Sequence, residues 1–267
     1  MSDVPDDVLD TPLRPLGDGS FIADLHPDWA VADRPHGGYL QAVLTRAAEA
    51  GLPGHDLAPL AVSAQYLSAP KIGPVLLRSE TLKTGRTVTV VRAVLEQSGR
   101  SCVEATVTFG VLPDSAPTWA DVPDDMPAHP TPDSVDLAQL DQPMGVYRAC
   151  DVRIDVDGAG FLIGDTTQPP RLRLWARPRD RRADLLFALI AGDLTVPVTF
   201  NLGRTGWTPT VQMTSLLRAR PANGWLRLVV DCKAVHGGWF DEDTMVLDSA
   251  GRLVCQSRQL ALTPAQA

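Results

Sequence analysis

The sequence predicts an α+β fold in which one architecture is used twice, each unit having one helix and an antiparallel sheet. The first observation is a faint internal repeat: the P-x-x-G turn at 70–73 recurs at 221–224, and the G-R pair at 99–100 recurs at 251–252. The second observation is that both halves read as a helix followed by four β-rich runs. Matched turns in matched order indicate a duplication, and this order of elements is not the alternation of a parallel βαβ sheet.

The first half begins with a predicted helix over residues 39–51. This segment is rich in helix formers and ends at Gly51, with Pro53 just beyond, and both residues stop a helix. Four runs rich in β-branched residues follow, bounded by Gly and Pro turns. They lie at 60–69, 75–83, 87–97 and 101–112.

The second half repeats this pattern after two extra strand-like runs at 152–156 and 171–178. Residues 183–194 have helical composition and end before Pro197. Four further strands are predicted at 208–219, 224–235, 241–249 and 252–262. In each half we therefore expect a helix packed on the concave face of a curved sheet. Joining the two sheets edge to edge would hide their exposed edges.

Between the halves, residues 113–142 carry six prolines and many aspartates. Because proline fixes φ and removes a backbone donor, this composition is typical of a linker. The predicted organisation is an N-terminal unit at 1–112, a linker at 113–145 and a C-terminal unit at 146–267.

Composition excludes several function classes. The net charge of −8 argues against a general nucleic-acid binder, which needs clustered cations. The arginines at 177, 179, 181 and 182 are better interpreted as a solvated charged face than as an anion site. The N-terminal residues have no apolar core, and the apolar run at 185–192 is far shorter than the roughly 20 residues that span a bilayer. We expect a cytoplasmic protein without a membrane span, and the scattered Cys and His residues predict neither a metal nor a cofactor.

The sharpest local string is R-P-H-G-G-Y at 34–39. Gly37 and Gly38 allow close backbone approach where a helix begins, and exposed N–H groups at a helix start can stabilise a developing negative charge. The alternative is that His36 and the two glycines form only a turn into the helix.

With this string the chain begins to resemble a family. The pattern W-x-x-x-x-x-P-H-G-G-Y at 29–39, G-R at 85–86, the stretch at 208–221 and S-R-Q-L-A-L at 257–262 are similar to thioesterase-like double-hotdog proteins related to acyl-CoA thioesterase II. The resemblance implies a double hotdog, in which two helix-wrapped antiparallel sheets are joined in one chain. It also implies acyl-CoA as the substrate, hydrolysis of its thioester by water, and association of two chains into a homodimer.

The resemblance further implies a water held by Asp193, Thr210 and Gln259, which we call the polar trio. Asp193 lies in the A-G-D-L context after the second helix, Thr210 opens a strand, and Gln259 lies in the last strand. Asp193 would be the general base, and the other two would orient the water. The helix start at His36, Gly37 and Gly38 would bind substrate. Gln212 stands where the family can carry an acidic residue, so no role for that carboxylate is expected.

Comparison of the two repeats indicates that the polar trio is present in the second half and not in the first. About 152 residues before its members lie Gln41, Ala58 or Pro59, and Val107, of which Gln41 alone is polar. Taken singly, each member has an ordinary interpretation as a helix end, a strand former or a partner at a sheet edge. Two other functions therefore stay open: a non-catalytic protein that binds an acyl group or small ligand, and a hotdog hydratase or dehydratase. The string at 233–243, with His236 beside several acids, resembles a hairpin turn.

Overall fold

The computed structural model describes residues 9–52, 57–140, 144–179 and 181–264. Pro53, expected just after the first helix, lies outside these residues. Three α-helices occur in the described part: α1 (Gly37–Ala50), α2 (Val146–Ala149) and α3 (Leu185–Ala191). The strands are β1 (Arg14–Pro15), β2 (Ser20–Leu25), β3 (Ala30–Val31), β4 (Arg34–Pro35), β5 (Ala58–Tyr66), β6 (Gly73–Thr84), β7 (Thr89–Gln97), β8 (Arg100–Gly110), β9 (Val135–Asp136), β10 (Cys150–Ile154), β11 (Arg171–Pro178), β12 (Thr210–Leu217), β13 (Leu226–Asp231), β14 (Val235–His236), β15 (Trp239–Leu247) and β16 (Leu253–Leu262).

Fourteen of these strands form one antiparallel sheet, and its two halves have corresponding strand orders. Outward from the centre, the first half runs β5-β8-β7-β6-β2-β1 and the second runs β12-β16-β15-β13-β11-β10. The halves meet where β5 pairs with β12 and Ser63 lies opposite Thr214. That pair is separated by the same 151 residues as the turns at 70–73 and 221–224. An approximate two-fold axis therefore passes between Ser63 and Thr214 and relates the two halves. The predicted edge-to-edge junction of the two sheets is confirmed.

The helices α1 and α3 lie inside the sheet and contact each other. Every residue of α3 is buried, and α1 buries most of its surface from Gly38 to Ala48. A helix that is apolar on nearly all sides belongs in a core, and here each half of the sheet wraps one. This is the double-hotdog, α+β architecture that the sequence predicted.

The second helix is shorter than the predicted span of 183–194. Asp184 is extended and its carboxylate accepts the Phe187 N–H at 2.8 Å, so the helix begins at Leu185. Gly192 caps its other end. Asp193 therefore lies beyond the helix, in the loop that leads to a short 3-10 turn at Val198–Leu202.

The strand pair β1–β2 was not predicted. Residues 20–25 form only a short run with incomplete alternation of buried and exposed positions, yet they extend the sheet beyond β6. The segment forms a strand by pairing with the edge of β6, a contact that the local sequence does not reveal.

The arginine cluster is an ion-paired surface, as expected. Arg177 and Arg179 both contact the Asp151 carboxylate, at 2.9 and 3.1 Å, and Arg181 pairs with Asp10 at 2.7 Å. Arg177, Arg179 and Arg181 therefore already have acidic partners, which argues against an anionic ligand at these three side chains.

The described residues contain neither a membrane-spanning helix nor a metal-binding cluster. No helix there is both long and apolar enough to cross a bilayer. No group of three or more His, Cys, Asp or Glu side chains within the same residues is arranged to hold a metal ion.

Candidate active site

His36 caps α1. Its Nδ1 accepts the Tyr39 N–H at 3.3 Å, and its Nε2 lies 3.0 Å from the backbone oxygen of Asp193. With Nδ1 accepting from the Tyr39 N–H, Nε2 is the ring nitrogen placed to donate to the Asp193 carbonyl. His36 thus performs the turn-forming role left open by the sequence, and it also holds the loop that carries Asp193.

The glycine pair that follows His36 provides space for the Asp193 carboxylate. The Gly38 N–H donates to Asp193 Oδ2 at 2.7 Å. A Cβ on Gly37 would lie 2.7 Å from that oxygen, and a Cβ on Gly38 would lie 3.0 Å from the Ile190 backbone. The first distance is shorter than an ordinary Cβ contact and the second is tighter than most, so the two glycines let the Asp193 carboxylate and the α3 backbone approach the start of α1 this closely.

The three members of the polar trio are brought into contact. Gln259 Nε2 donates to Asp193 Oδ1 at 3.2 Å, and the Thr210 hydroxyl donates to Gln259 Oε1 at 2.5 Å. Asp193 and Gln259 are both buried, with 8% of each residue exposed. A continuous hydrogen-bonded chain therefore runs from the first residue of β12, through β16, to the loop after α3.

A fourth polar residue, Glu242 on β15, completes this network. Its Oε1 accepts from Gln259 Nε2 at 3.0 Å, and its Oε2 accepts the Val198 N–H at 3.2 Å. Only 2% of Glu242 is exposed. The Gln259 amide thus donates to two carboxylates, Glu242 and Asp193, and accepts from Thr210.

The sequence analysis missed Glu242. It lies in the string at 233–243, whose His236 does form the predicted hairpin, with β14 pairing to β15. The available signal was the alternation of W-F-D-E-D-T-M-V-L, which turns Phe240, Glu242 and Thr244 inward. Gln212, at the position considered for an extra acid, donates to the Thr214 hydroxyl instead.

The network borders a cavity of about 390 Å³. The polar trio, Glu242, His36 and Gly37 all line it, so both halves of the chain contribute to the site. Much of the remaining wall is apolar, for example Leu40, Val146, Phe200 and Phe240. Its size and lining are those of a small-molecule pocket with a few converging polar groups.

The symmetry-related positions in the first half lack this network. Val107, the counterpart of Gln259, is fully buried in the core. Gln41 donates to the Met213 carbonyl at 3.0 Å and accepts from the Ser215 hydroxyl at 2.9 Å. Gln41 therefore joins α1 to β12, and within the described residues neither Gln41 nor Val107 forms a second polar set.

Known protein families match both halves. Residues 25–110 match the acyl-CoA thioesterase N-terminal domain, and residues 123–263 match the acyl-CoA thioesterase C-terminal domain. The chain belongs to the acyl-CoA thioesterase family.

Individual proteins resemble this chain over nearly its whole length. An uncharacterised protein of Mycobacterium tuberculosis is 38% identical over 271 residues, covering 92% of this chain and 91% of its own. A protein assigned as a thioesterase II from Thermobifida fusca is 31% identical with a TM-score of 0.85, over 96% of each chain. A hot-dog protein of unknown function from Alicyclobacillus acidocaldarius has a TM-score of 0.82 at 23% identity, over 96% of this chain and 97% of its own, which shows the shared fold.

Burial changes the acidity of the two carboxyl groups in this site. Burial raises the pKa of Asp193, against the lowering effects of His36, the Gly38 N–H and Gln259. Burial likewise raises the pKa of Glu242 to about 8, and the nearby Asp193 charge adds to that rise while the Val198 N–H opposes it. Both carboxyl groups therefore hold a proton more tightly than in water.

The expected oxyanion donors at the start of α1 are partly occupied. The Gly38 N–H binds Asp193, and the Tyr39 N–H binds His36. The Gly37 N–H is the remaining candidate donor. Because Gly37 is the first residue of α1, its N–H has no partner within the helix, and Gly37 lines the cavity.

Replacing Gly38 with Ala should separate α1 from α3, because the new Cβ meets rigid backbone at Ile190. We expect the free energy of unfolding to fall by about 1–3 kcal/mol, measured by urea denaturation. Gly51→Ala, at the other end of α1, is the matched control. Its Cβ would meet only the movable Ser79 hydroxyl, at 3.2 Å. Equal losses in both variants would contradict the role given to the glycine pair.

Stability should also depend on pH through the two buried acids. Because their folded pKa values are raised, the folded protein binds more protons than the unfolded chain between about pH 4.5 and pH 8. The free energy of unfolding should therefore decrease as pH rises through this window. Glu242→Gln should flatten the decrease, whereas Asp243→Asn, which removes an outward carboxylate paired with Arg258, should not. A wild-type slope in Glu242→Gln would exclude Glu242 as its source.

Proposed function

We propose that this protein hydrolyses an acyl-CoA thioester to a free acid and CoA, using a water held by Asp193, Thr210 and Gln259. The observation that carries the proposal is the hydrogen-bonded chain of these three residues beside a largely apolar cavity. Family membership supports thioester chemistry, and the contacts of this chain support the assignment of roles.

Asp193 acts as the general base. A thioester carbonyl is electrophilic enough for direct attack by water, so no covalent nucleophile is needed. Asp193 takes one proton from the water while the water oxygen bonds to the carbonyl carbon. The tetrahedral intermediate then expels the CoA thiolate. The proton on Asp193 passes to the thiolate or to solvent, which restores the base.

Thr210 orients the water by accepting a hydrogen bond from it. Gln259 Oε1 has no proton to give, so the Thr210 hydroxyl must donate to it, and the lone pairs of Thr210 are left for the second proton of the water. With Asp193 and Thr210 both accepting, the lone pair of the water points away from them and toward the substrate. Gln259 fixes the positions of both acceptors.

The first hotdog supplies the wall that binds the substrate. His36 and the glycine pair bring the start of α1 against Asp193. We assign the oxyanion of the intermediate to the Gly37 N–H, at the positive end of the helix. The acyl group packs against the apolar side chains of the cavity.

Asp193→Asn should lower turnover by on the order of 10²–10⁴-fold, because it removes the base while nearly preserving side-chain shape. The assay is thiol release from a panel of acyl-CoAs, with binding measured separately and expected to survive. Gln259→Ala should lose less, since it positions groups without taking a proton. His36→Ala should also lose less, since it removes a helix cap and leaves the base.

Three outcomes would redirect the assignment. Full activity in Asp193→Asn with none in His36→Ala would move the chemistry to the first hotdog. Acyl-CoA binding without thiol release at any chain length would make the protein a ligand-binding member of the fold. Absorbance of an enoyl-CoA product would instead identify a hydratase or dehydratase.

A further inference from the structure

We propose that Glu242 is a positioning residue for the reaction, holding the Gln259 amide with Oε1 toward Thr210 and Nε2 toward Asp193. The inference rests on the proposed function, since its consequence is the orientation of the attacking water. Glu242 itself need not touch the reacting atoms to have this effect.

The geometry gives Gln259 two acceptors for its two amide protons. Nε2 lies 3.0 Å from Glu242 Oε1 and 3.2 Å from Asp193 Oδ1. Both carboxyl groups are buried, so bulk water has little access to these two contacts. The Glu242 contact is the shorter of the two, and it comes from an adjacent strand of the same sheet.

The alternative orientation of Gln259 would be unfavourable only because acceptors surround Nε2. The last torsion of a Gln side chain is broad and nearly two-fold, so the amide alone has little preference. A flip would direct Oε1 at the oxygens of Asp193 and Glu242 and leave both amide protons without these acceptors. Without Glu242, only the longer contact to Asp193 would oppose the flip.

A flip would reverse the role of Thr210. With Nε2 facing it, the Thr210 hydroxyl would accept from Gln259 and direct its own proton into the cavity. Thr210 would then donate to the water and occupy the lone pair needed for attack. The orientation of one amide therefore decides whether Thr210 assists or opposes the nucleophile.

The second oxygen of Glu242 fixes the carboxyl group itself. It accepts the N–H of Val198, the first residue of the 3-10 turn that follows the Asp193 loop and contributes Phe200 to the cavity wall. The neighbouring acids have other partners: Asp243 pairs with Arg258 on the outer face, and Asp241 accepts from the Lys233 and Ala234 N–H groups in the hairpin. Of the three consecutive acids at 241–243, Glu242 is the one joined to the polar trio.

The test is a double-mutant cycle in thiol release. Glu242→Ala should lower kcat by on the order of 10²-fold with KM little changed, as expected when a reacting group is misplaced but the cavity remains. In a Gln259→Ala background the same substitution should change kcat by no more than about twofold, because the amide on which it acts is gone. Equal losses in both backgrounds, or full kcat in Glu242→Ala alone, would overturn the proposal.

Glu242→Gln and Asp243→Asn complete the design. A glutamine at 242 keeps one acceptor oxygen for two donors, so its kcat should lie between wild type and Glu242→Ala, and this variant serves if Glu242→Ala does not fold. Asp243→Asn, one position along the same strand, should keep wild-type kcat and KM. A Glu242→Gln variant slower than Glu242→Ala would contradict an acceptor role.

An NMR measurement separates this inference from the proposed function. In wild type the Gln259 side-chain amide protons should be slow to exchange with solvent, and Glu242→Gln should speed their exchange while the backbone amides of β16 stay protected. Unchanged side-chain exchange would overturn the inference whatever the activity. Absence of thiol release from wild type, with this exchange pattern intact, would reject the hydrolase and leave the Glu242–Gln259 coupling standing.

Discussion

The close contact between the start of α1 and the end of α3 is the constraint on which the site depends. Gly38 approaches the Ile190 backbone so closely that a Cβ would stand at 3.0 Å. This approach lets a backbone N–H at a helix start reach the Asp193 carboxylate, where the helix dipole also favours negative charge. Burial alone would strongly disfavour an ionised Asp193, and the contact offsets part of that effect while keeping the carboxylate inside the cavity.

The duplicated fold offers two places for a site, and within the described residues the polar network lies in one of them. The approximate two-fold axis at Ser63 and Thr214 relates each half to the other, so a symmetric chain would have two equivalent places for chemistry. In one place β12, β15 and β16 turn polar side chains inward against His36 and the glycine pair. At the other, Val107 is apolar and packed. A second buried carboxylate pair would carry the same desolvation penalty, and an apolar core at that position instead adds to stability.

The sequence was sufficient for those features that depend on local rules. Turn residues located the repeat, and Gly51 marked the end of α1. The limits of α3 were harder, because they depend on whether the Asp184 side chain turns back onto the Phe187 N–H. Glu242 required knowledge of which face of β15 points inward. Since Asp241, Glu242 and Asp243 are three acids in succession, composition alone did not distinguish the buried one from the outward pair.

The distribution of donors around the two buried acids accounts for their different roles. Asp193 is approached by the Gly38 N–H, by Gln259 and by the His36 ring, whereas Glu242 receives the Val198 N–H and a share of the same Gln259 amide. Hydrogen bonds to a carboxylate favour its ionised form, so these donors oppose the rise in the pKa of Asp193 that burial causes. Burial raises the pKa of Glu242 to about 8, which favours its protonated form at neutral pH. A protonated carboxyl group can still accept from Gln259, so it can hold the amide without adding a second negative charge beside the base. Under the proposed mechanism the two acids in this site take separate tasks, with Asp193 accepting a proton and Glu242 fixing the Gln259 amide between them.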